Sequence, residues 1–130
     1  MGGVRGEDSN DDLRCYDARM SEAVPGAAPR VVLVTAPDRE VALELARELV
    51  GRRLAACVNL VPGVTSVYRW EGAVQEDPEV LLVCKTTAAR IEAFERALAE
   101  LHPYDVPECV ALAPDSVEAG YLSWLRGQVG

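Results

Sequence analysis

The chain has 130 residues, of which 49% are hydrophobic, and this is enough for one domain with a hydrophobic core. Its formal net charge of −8 argues against nucleic acids and anionic membranes as partners. The sequence shows neither a signal-peptide core nor a membrane-spanning apolar stretch, so we expect a cytoplasmic protein with reduced thiols.

The amino-terminal segment, residues 1–30, is rich in small and charged residues and has few large apolar side chains. Little apolar surface is available there to offset the entropy lost on ordering, so the composition predicts disorder. The sequence Met20-Ser21-Glu22 resembles an ordinary protein start, which would make residues 1–19 upstream sequence or an added leader. We expect residues 31–130 to form a single domain.

The first predicted elements are a buried strand and an amphipathic helix. Residues 31–34 form a continuous apolar run, which is typical of a strand buried on both faces. Apolar residues then recur at helical spacing over residues 41–50. Asp38 is the predicted N-cap of this helix, and Gly51 is its predicted stop.

A bent strand and a hairpin are predicted next. Residues 55–60 and 64–70 are rich in β-branched and aromatic side chains, and Pro62-Gly63 between them predicts a bend or bulge. Glu71-Gly72 is a suitable hairpin turn. Residues 80–84 are again apolar on both faces and form the predicted returning strand.

The last third of the chain predicts two helices with a strand between them. Thr87 is the predicted cap of a helix whose apolar face runs from Ile91 to Leu101. Residues 109–113 form the predicted fourth strand. Asp115 and Glu118 resemble a capping box at the start of a final helix.

This order of elements, β-α-β-β-α-β with an extra C-terminal helix, predicts an α+β fold of the ferredoxin-like type. The two main helices cover one face of the sheet. Because the central strands are apolar on both faces, the second face also needs covering, and the terminal helix is too small for that. We therefore expect the sheets of several copies to pack together.

The connection at residues 102–108 holds His102, the only histidine, together with two prolines that stiffen the backbone. A rigid loop with an imidazole, a phenol and two carboxylates is typical of a functional segment. The alternative is a helix-to-strand turn with surface charges. The sequence leaves both interpretations open.

Several motifs resemble the CutA family of divalent-cation tolerance proteins, in family order and over residues 31–128. They are the sequences TAP at 35–37, LAACVN at 54–59, SVYRWEG at 66–72, KTT at 85–87 and YLSWL at 121–125. The resemblance implies a homotrimer that is similar to the PII signalling proteins in assembly. It also implies a role in the tolerance of divalent metal ions such as copper, or alternatively a PII-like sensor or adaptor for a small molecule or protein partner.

Lys85, the only lysine of the chain, follows a predicted buried strand. It is either a cation that binds an anionic group or a strand-end lysine that extends into solvent. The resemblance implies that it belongs to a cleft between subunits, although ordinary packing also explains the aromatic residues. The cleft residues are Tyr68, Trp70, Glu79, Lys85, Tyr104, Glu108 and Trp124.

For a divalent metal, His102 is the natural ligand and Cys57 is a possible soft one. The resemblance implies a copper site with a cysteine on the first strand and two adjacent histidines, but this chain has Val34 and Leu101 at two of those positions. One imidazole cannot by itself hold the ion tightly, so tight binding would need carboxylates, Cys57 or the His102 of neighbouring subunits. Apart from Cu²⁺ or another divalent ion, the sequence indicates no cofactor, and it contains no P-loop, dinucleotide-binding or Ser-His-Asp motif that would indicate an enzyme.

Overall fold

A computed structural model describes residues 26–130 and a two-residue strand at Tyr16–Asp17. The elements in chain order are β1 (Tyr16–Asp17), β2 (Pro29–Ala36), α1 (Arg39–Gly51), β3 (Cys57–Trp70), β4 (Ala73–Thr87), a 3₁₀ turn (Ala88–Arg90), α2 (Ile91–Leu101), β5 (Val110–Leu112), β6 (Ser116–Val117) and α3 (Ala119–Gln128).

The amino-terminal prediction is only partly covered by the described residues. The predicted disorder of residues 1–15 and 18–25 lies outside them and stays a prediction. Within the predicted tail, β1 pairs antiparallel with β6, and β2 begins at Pro29, two residues before the expected start of the domain.

The main sheet has four antiparallel strands in the order β3-β4-β2-β5. Together with α1 and α2 this is the ferredoxin-like arrangement, so the predicted α+β fold is confirmed. Both helices pack on one face of the sheet, because every second residue of β2 and β4 points toward them. The residues buried there include Val32, Val34, Leu49, Leu82 and Phe94.

The ends of the helices differ in detail from the prediction. Asp38 caps α1 as expected, since its side chain accepts a hydrogen bond of 2.8 Å from the Val41 N–H. Gly51, however, is the last helical residue, and the left-handed backbone that follows the helix belongs to Arg53, with φ of 61°. The helix therefore ends at Gly51 as predicted, but Arg53 and not Gly51 has the left-handed backbone.

The caps of the two later helices were also misplaced. Thr87 precedes the 3₁₀ turn and makes no side-chain capping bond, and α2 begins only at Ile91. Glu118 is itself the N-cap of α3, because its carboxylate accepts from the N–H groups of Gly120 and Tyr121, both at 2.9 Å. The predicted capping box on Asp115 was wrong, since β6 lies between Asp115 and the helix.

The β3–β4 hairpin is much longer than predicted. A bulge between Val61 and Val64 bends β3 at the predicted Pro62-Gly63 position. Glu71 and Gly72 both have positive φ, at 49° and 81°, as a tight two-residue hairpin turn requires. β4 runs over 15 residues instead of the five predicted, because its first half pairs with β3 despite its polar sequence.

The sheet face opposite α1 and α2 is called the outer face below. Its apolar residues alternate with the core residues along each strand. Three of them, Val61, Val110 and Leu112, are 42%, 46% and 47% exposed. The helix α3 buries Leu122 and Leu125 and covers only one end of this face, where β2 begins and β4 ends. In one chain most of the outer face is open.

Candidate functional site

His102 lies in the turn after α2 and is buried. Its Nδ1 accepts a hydrogen bond of 3.1 Å from the Tyr104 N–H, and its Nε2 lies 2.7 Å from the Thr35 carbonyl oxygen. A nitrogen that accepts from an N–H carries no proton, so Nε2 carries it and donates to Thr35. Both ring nitrogens are thus used by the fold, and the ring ties the turn to the end of β2.

Between residues 26 and 130, no group of three or more histidine, cysteine, aspartate or glutamate side chains is arranged to hold a metal ion. Cys57 is half-buried on β3 and pairs with Lys85 of β4. His102 is hydrogen-bonded to Thr35 of β2, which pairs with Leu81 of β4, four residues before Lys85. At about 3.3 Å per residue this offsets the two candidate ligands by roughly 13 Å along the strands, and they also lie on opposite sides of β4. A metal site that uses both stays a prediction and would need more than one subunit.

Two phenol–carboxylate pairs form a cluster on the outer face of the hairpin, called the acidic cluster: Tyr68, Asp77, Glu79 and Tyr104. The Tyr68 hydroxyl donates to Asp77, and the Tyr104 hydroxyl donates to Glu79 Oε2 at 3.1 Å. Burial and the Glu79 carboxylate raise the pKa of Tyr104 to about 12, so this phenol keeps its proton at neutral pH. The hydrogen bond to Asp77 also raises the pKa of Tyr68.

The local backbone explains how the acidic cluster is assembled. Asp77 and Glu79 are two residues apart on β4 and therefore share a face of the strand. The His102 ring contacts the Tyr104 ring, with centroids 4.7 Å apart, and the Tyr104 N–H is bonded to that imidazole. The stiff turn therefore positions the Tyr104 phenol beside Glu79.

A second group, called the Lys85 cluster, lies at the other end of the outer face: Cys57, Asn59, Lys85 and Tyr121. Cys57 and Lys85 are direct partners in the β3–β4 ladder and so point to the same side. The Lys85 ammonium donates to Asn59 Oδ1, and Cys57 Sγ lies 3.8 Å from the same oxygen. Burial raises the pKa of Tyr121, and a hydrogen bond with Cys57 adds to this effect.

Beside the Lys85 cluster is an open recess of about 420 Å³ between α3, β6 and the ends of β2 and β4. Most of its wall is apolar, with two cationic side chains and two hydroxyl groups. The residues that line it are Pro29, Arg30, Val31, Lys85, Pro114, Ser116, Val117, Tyr121 and Leu125.

The predicted cleft residues are not brought together within one chain. Lys85 and Glu79 are six residues apart on β4, which is roughly 20 Å of extended strand. Trp70 is exposed at the tip of the hairpin, and Glu108 is exposed before β5, near Cys109. Trp124 contacts Tyr121 on α3, with ring centroids 5.6 Å apart.

Sequence reasoning missed three members of the two clusters. Asp77 follows from strand alternation once Glu79 is chosen, but its segment was not predicted to be a strand. Asn59 lies two residues after Cys57 and shares its face. Tyr121 could not be found by pattern, because its contact with Cys57 joins residues that are 64 positions apart.

Comparison with known proteins places this architecture in a family. Residues 30–128 match the family model described as CutA1 divalent ion tolerance protein. A protein of Thermus thermophilus named divalent-cation tolerance protein CutA is 52% identical over 100 residues, which cover 77% of this chain and 97% of the relative. Human protein CutA is 44% identical over 103 residues, covering 79% of this chain but only 57% of the human protein.

Solved structures agree with the sequence match. The Thermus thermophilus protein, titled divalent cation tolerance protein, has a TM-score of 0.77 at 51% identity and covers 78% of this chain and 99% of its own. CutA of Synechococcus elongatus has a TM-score of 0.79 at 32% identity, with 90% and 96% covered. The chain therefore belongs to the CutA1 divalent ion tolerance protein family.

Proposed function

We propose that this chain works as a cytoplasmic homotrimer with a PII-like assembly and takes part in the tolerance of divalent metal ions, including copper. The observation that carries the assembly is the open outer face. Val61, Val110 and Leu112 are apolar, lie on one face and are nearly half exposed in a single chain. Burying such a face against other copies is the common solution in soluble proteins.

The charge distribution on the outer face supports the same assembly. The Lys85 cluster lies at one end of β4, and the acidic cluster lies roughly 20 Å away toward the hairpin. In a ring of copies related by rotation, the cation of one subunit can face the carboxylates of the next. The predicted cleft would then be assembled from two chains.

A role in metal tolerance is supported by the Thermus thermophilus relative, which is named a divalent-cation tolerance protein. The family is named for this tolerance and not for a reaction. In our proposal copper binds at a subunit boundary, where Cys57 of one copy and His102 of another supply ligands. Binding at His102 Nδ1 would displace the hydrogen bond from the Tyr104 N–H.

Calorimetric titration of the full chain with Cu²⁺ and Zn²⁺ tests the metal role. If both ligands contribute, His102→Asn and Cys57→Ser should each weaken Cu²⁺ binding at least tenfold, about 1.4 kcal/mol. The matched control is Cys109→Ser, which removes a half-buried thiol elsewhere on the sheet. Unchanged affinity in either variant would remove that residue from the site, and absent binding in the unmodified chain would overturn the copper proposal.

A second candidate function is a PII-like sensor of a small molecule. It is favoured by the recess beside Lys85, which has the size of a small-ligand pocket and is lined by two cationic side chains. The same calorimeter distinguishes the two candidates. Saturable binding of an organic anion in the absence of metal supports the sensor, whereas binding of Cu²⁺ alone supports the metal role.

A further inference from the structure

We infer that the recess between α3, β6 and the ends of β2 and β4 binds a small organic anion, one that joins a carboxylate or phosphate group to a flat apolar body. This inference rests on the sensor function proposed above and specifies its ligand. All residues that line the recess belong to one chain, and in the assembly proposed above a ligand there would compete with the neighbouring carboxylates for Lys85.

The positive charge of the recess comes from Lys85 and Arg30. The ion pairs formed between described residues join other arginines to glutamates, and none of them involves either of these two cations. The Lys85 ammonium instead donates to the neutral Asn59 amide oxygen, and Arg30 Nη1 donates to the Pro29 carbonyl at 2.8 Å. These neutral partners orient both cations and, within one chain, leave their charge uncompensated.

Among the described residues that line the recess there is no carboxylate, which disfavours a cationic ligand at this position. The Ser116 hydroxyl and the Tyr121 phenol also line the recess and add hydrogen-bonding groups for an anionic oxygen. A phosphate or carboxylate head group would therefore find both cations and donors in the recess.

The apolar part of the recess indicates which kind of group should be attached to the anionic head of the ligand. Side chains of Pro29, Val31, Pro114, Val117 and Leu125 form most of the wall. An inorganic anion would leave this surface wet, whereas a ring or short apolar chain would remove it from water at about 25 cal/mol per Å². A volume of about 420 Å³ accommodates a molecule of the size of an aromatic acid.

Titration of the isotopically labelled full chain, followed by NMR, tests the inference with four probes. Benzoate and phenyl phosphate should bind with a Kd of about 1 mM or tighter and should shift signals of Ser116, Val117 and Tyr121. Inorganic phosphate and benzyl alcohol should each bind at least tenfold more weakly, because phosphate lacks the apolar ring and benzyl alcohol lacks the anionic group. The ratio of benzoate to phenyl phosphate affinity distinguishes a carboxylate from a phosphate ligand.

Variants then test whether Lys85 is the cation that binds the anionic group of the ligand. Lys85→Met should weaken benzoate or phenyl phosphate binding at least tenfold, and Lys85→Arg should restore most of it because the charge is kept. The control is Arg39→Met, which removes a positive charge from the exposed start of α1 outside the recess. Equal affinity for benzyl alcohol and benzoate, or an unchanged affinity in Lys85→Met, would overturn the inference.

The outcome separates this ligand from the sensor function as a whole. If the aromatic anions fail while a different metabolite binds and shifts signals of the acidic cluster, the ligand assigned to the recess is wrong and the sensor survives. If no organic anion binds anywhere on the chain, the sensor function fails as well.

Discussion

At the scale of single residues, His102 shows how a loop whose backbone is restrained by prolines is fixed further by side-chain hydrogen bonds. The two prolines of its loop indicate an extended, restrained backbone, and the imidazole then fixes that loop through the Thr35 carbonyl and the Tyr104 N–H. Sequence reasoning located the loop but not these partners, because Thr35 is 67 positions away and its carbonyl is reached only after the chain folds.

Cys84 gives a pH prediction at the same scale. Burial is the main cause that raises the pKa of this thiol from 9.0 to about 12. The unfolded thiol therefore loses its proton first as the pH rises, so the folded state binds more protons and the free energy of unfolding must fall. The loss begins near pH 9, grows up to about pH 12 and amounts to at most about 4 kcal/mol.

Urea unfolding of the unmodified chain and of Cys84→Val between pH 8 and pH 11 or so measures this effect. Valine is similar in size and does not titrate, so the variant should lose less stability over this range. The control is Cys57→Val, whose position is only half-buried. An identical pH dependence in the unmodified chain and in Cys84→Val would show that this thiol does not govern alkaline stability.

At the scale of elements, the hairpin shows where sequence patterns fail. β4 was predicted only over its apolar half, because Glu76-Asp77-Pro78 has the composition of a loop. In the structure these residues continue the ladder, since Ser66 pairs with Asp77 and Val67 with Glu76. Pairing with a strand that is itself well specified overrides local propensity. The turn and the bulge were predictable because both depend on glycine or proline at fixed positions.

The hairpin turn makes a direct prediction about Gly72. Its φ of 81° is a conformation that residues with a Cβ rarely adopt, so Gly72→Ala should lower the free energy of unfolding by about 1 kcal/mol. Gly51→Ala is the matched control, because Gly51 is helical and has no atom near the position of an added Cβ.

Thermal and urea unfolding compare these two variants. The control should be neutral or slightly stabilising, since alanine is the better helix former. If Gly72→Ala were as stable as Gly51→Ala, the left-handed turn would not be required in solution.

At the scale of the whole molecule, the sequence was sufficient to predict the order of the main strands and helices and an apolar second face of the sheet. Continuous apolar runs in two central strands, which make both faces apolar, carried that prediction. The distribution of the polar residues over two clusters was not predictable, because it depends on the strand register and on where α3 docks. The short pairing of β1 with β6 was also missed, since two residues are too few to form a pattern.

The proposed trimer is tested by a charge placed on the outer face. Leu112→Asp should convert a three-copy assembly into single chains at micromolar concentration, because an unpaired carboxylate would have to be buried at the interface. Val50→Asp is the control, since Val50 is similarly exposed, at 41%, but lies on α1 away from the outer face. Light scattering measures both masses.

Two results would contradict the assembly. The first is a single-chain mass for the unmodified protein, and the second is a three-copy mass that Leu112→Asp does not change. The latter would mean that the copies meet through another surface.

The positions of the two tryptophans have an optical consequence. Trp70 is 48% exposed at the hairpin tip, whereas Trp124 is half-buried on α3 against Tyr121, beside the recess. The 14 residues of β3 span at most roughly 40 Å between these two regions, because the bulge bends the strand. With Trp70 replaced by phenylalanine, the tryptophan fluorescence of the chain comes from Trp124 alone and reports on the environment of α3. With Trp124 replaced instead, the emission follows the hairpin, so each end of the molecule can be observed separately without an added dye.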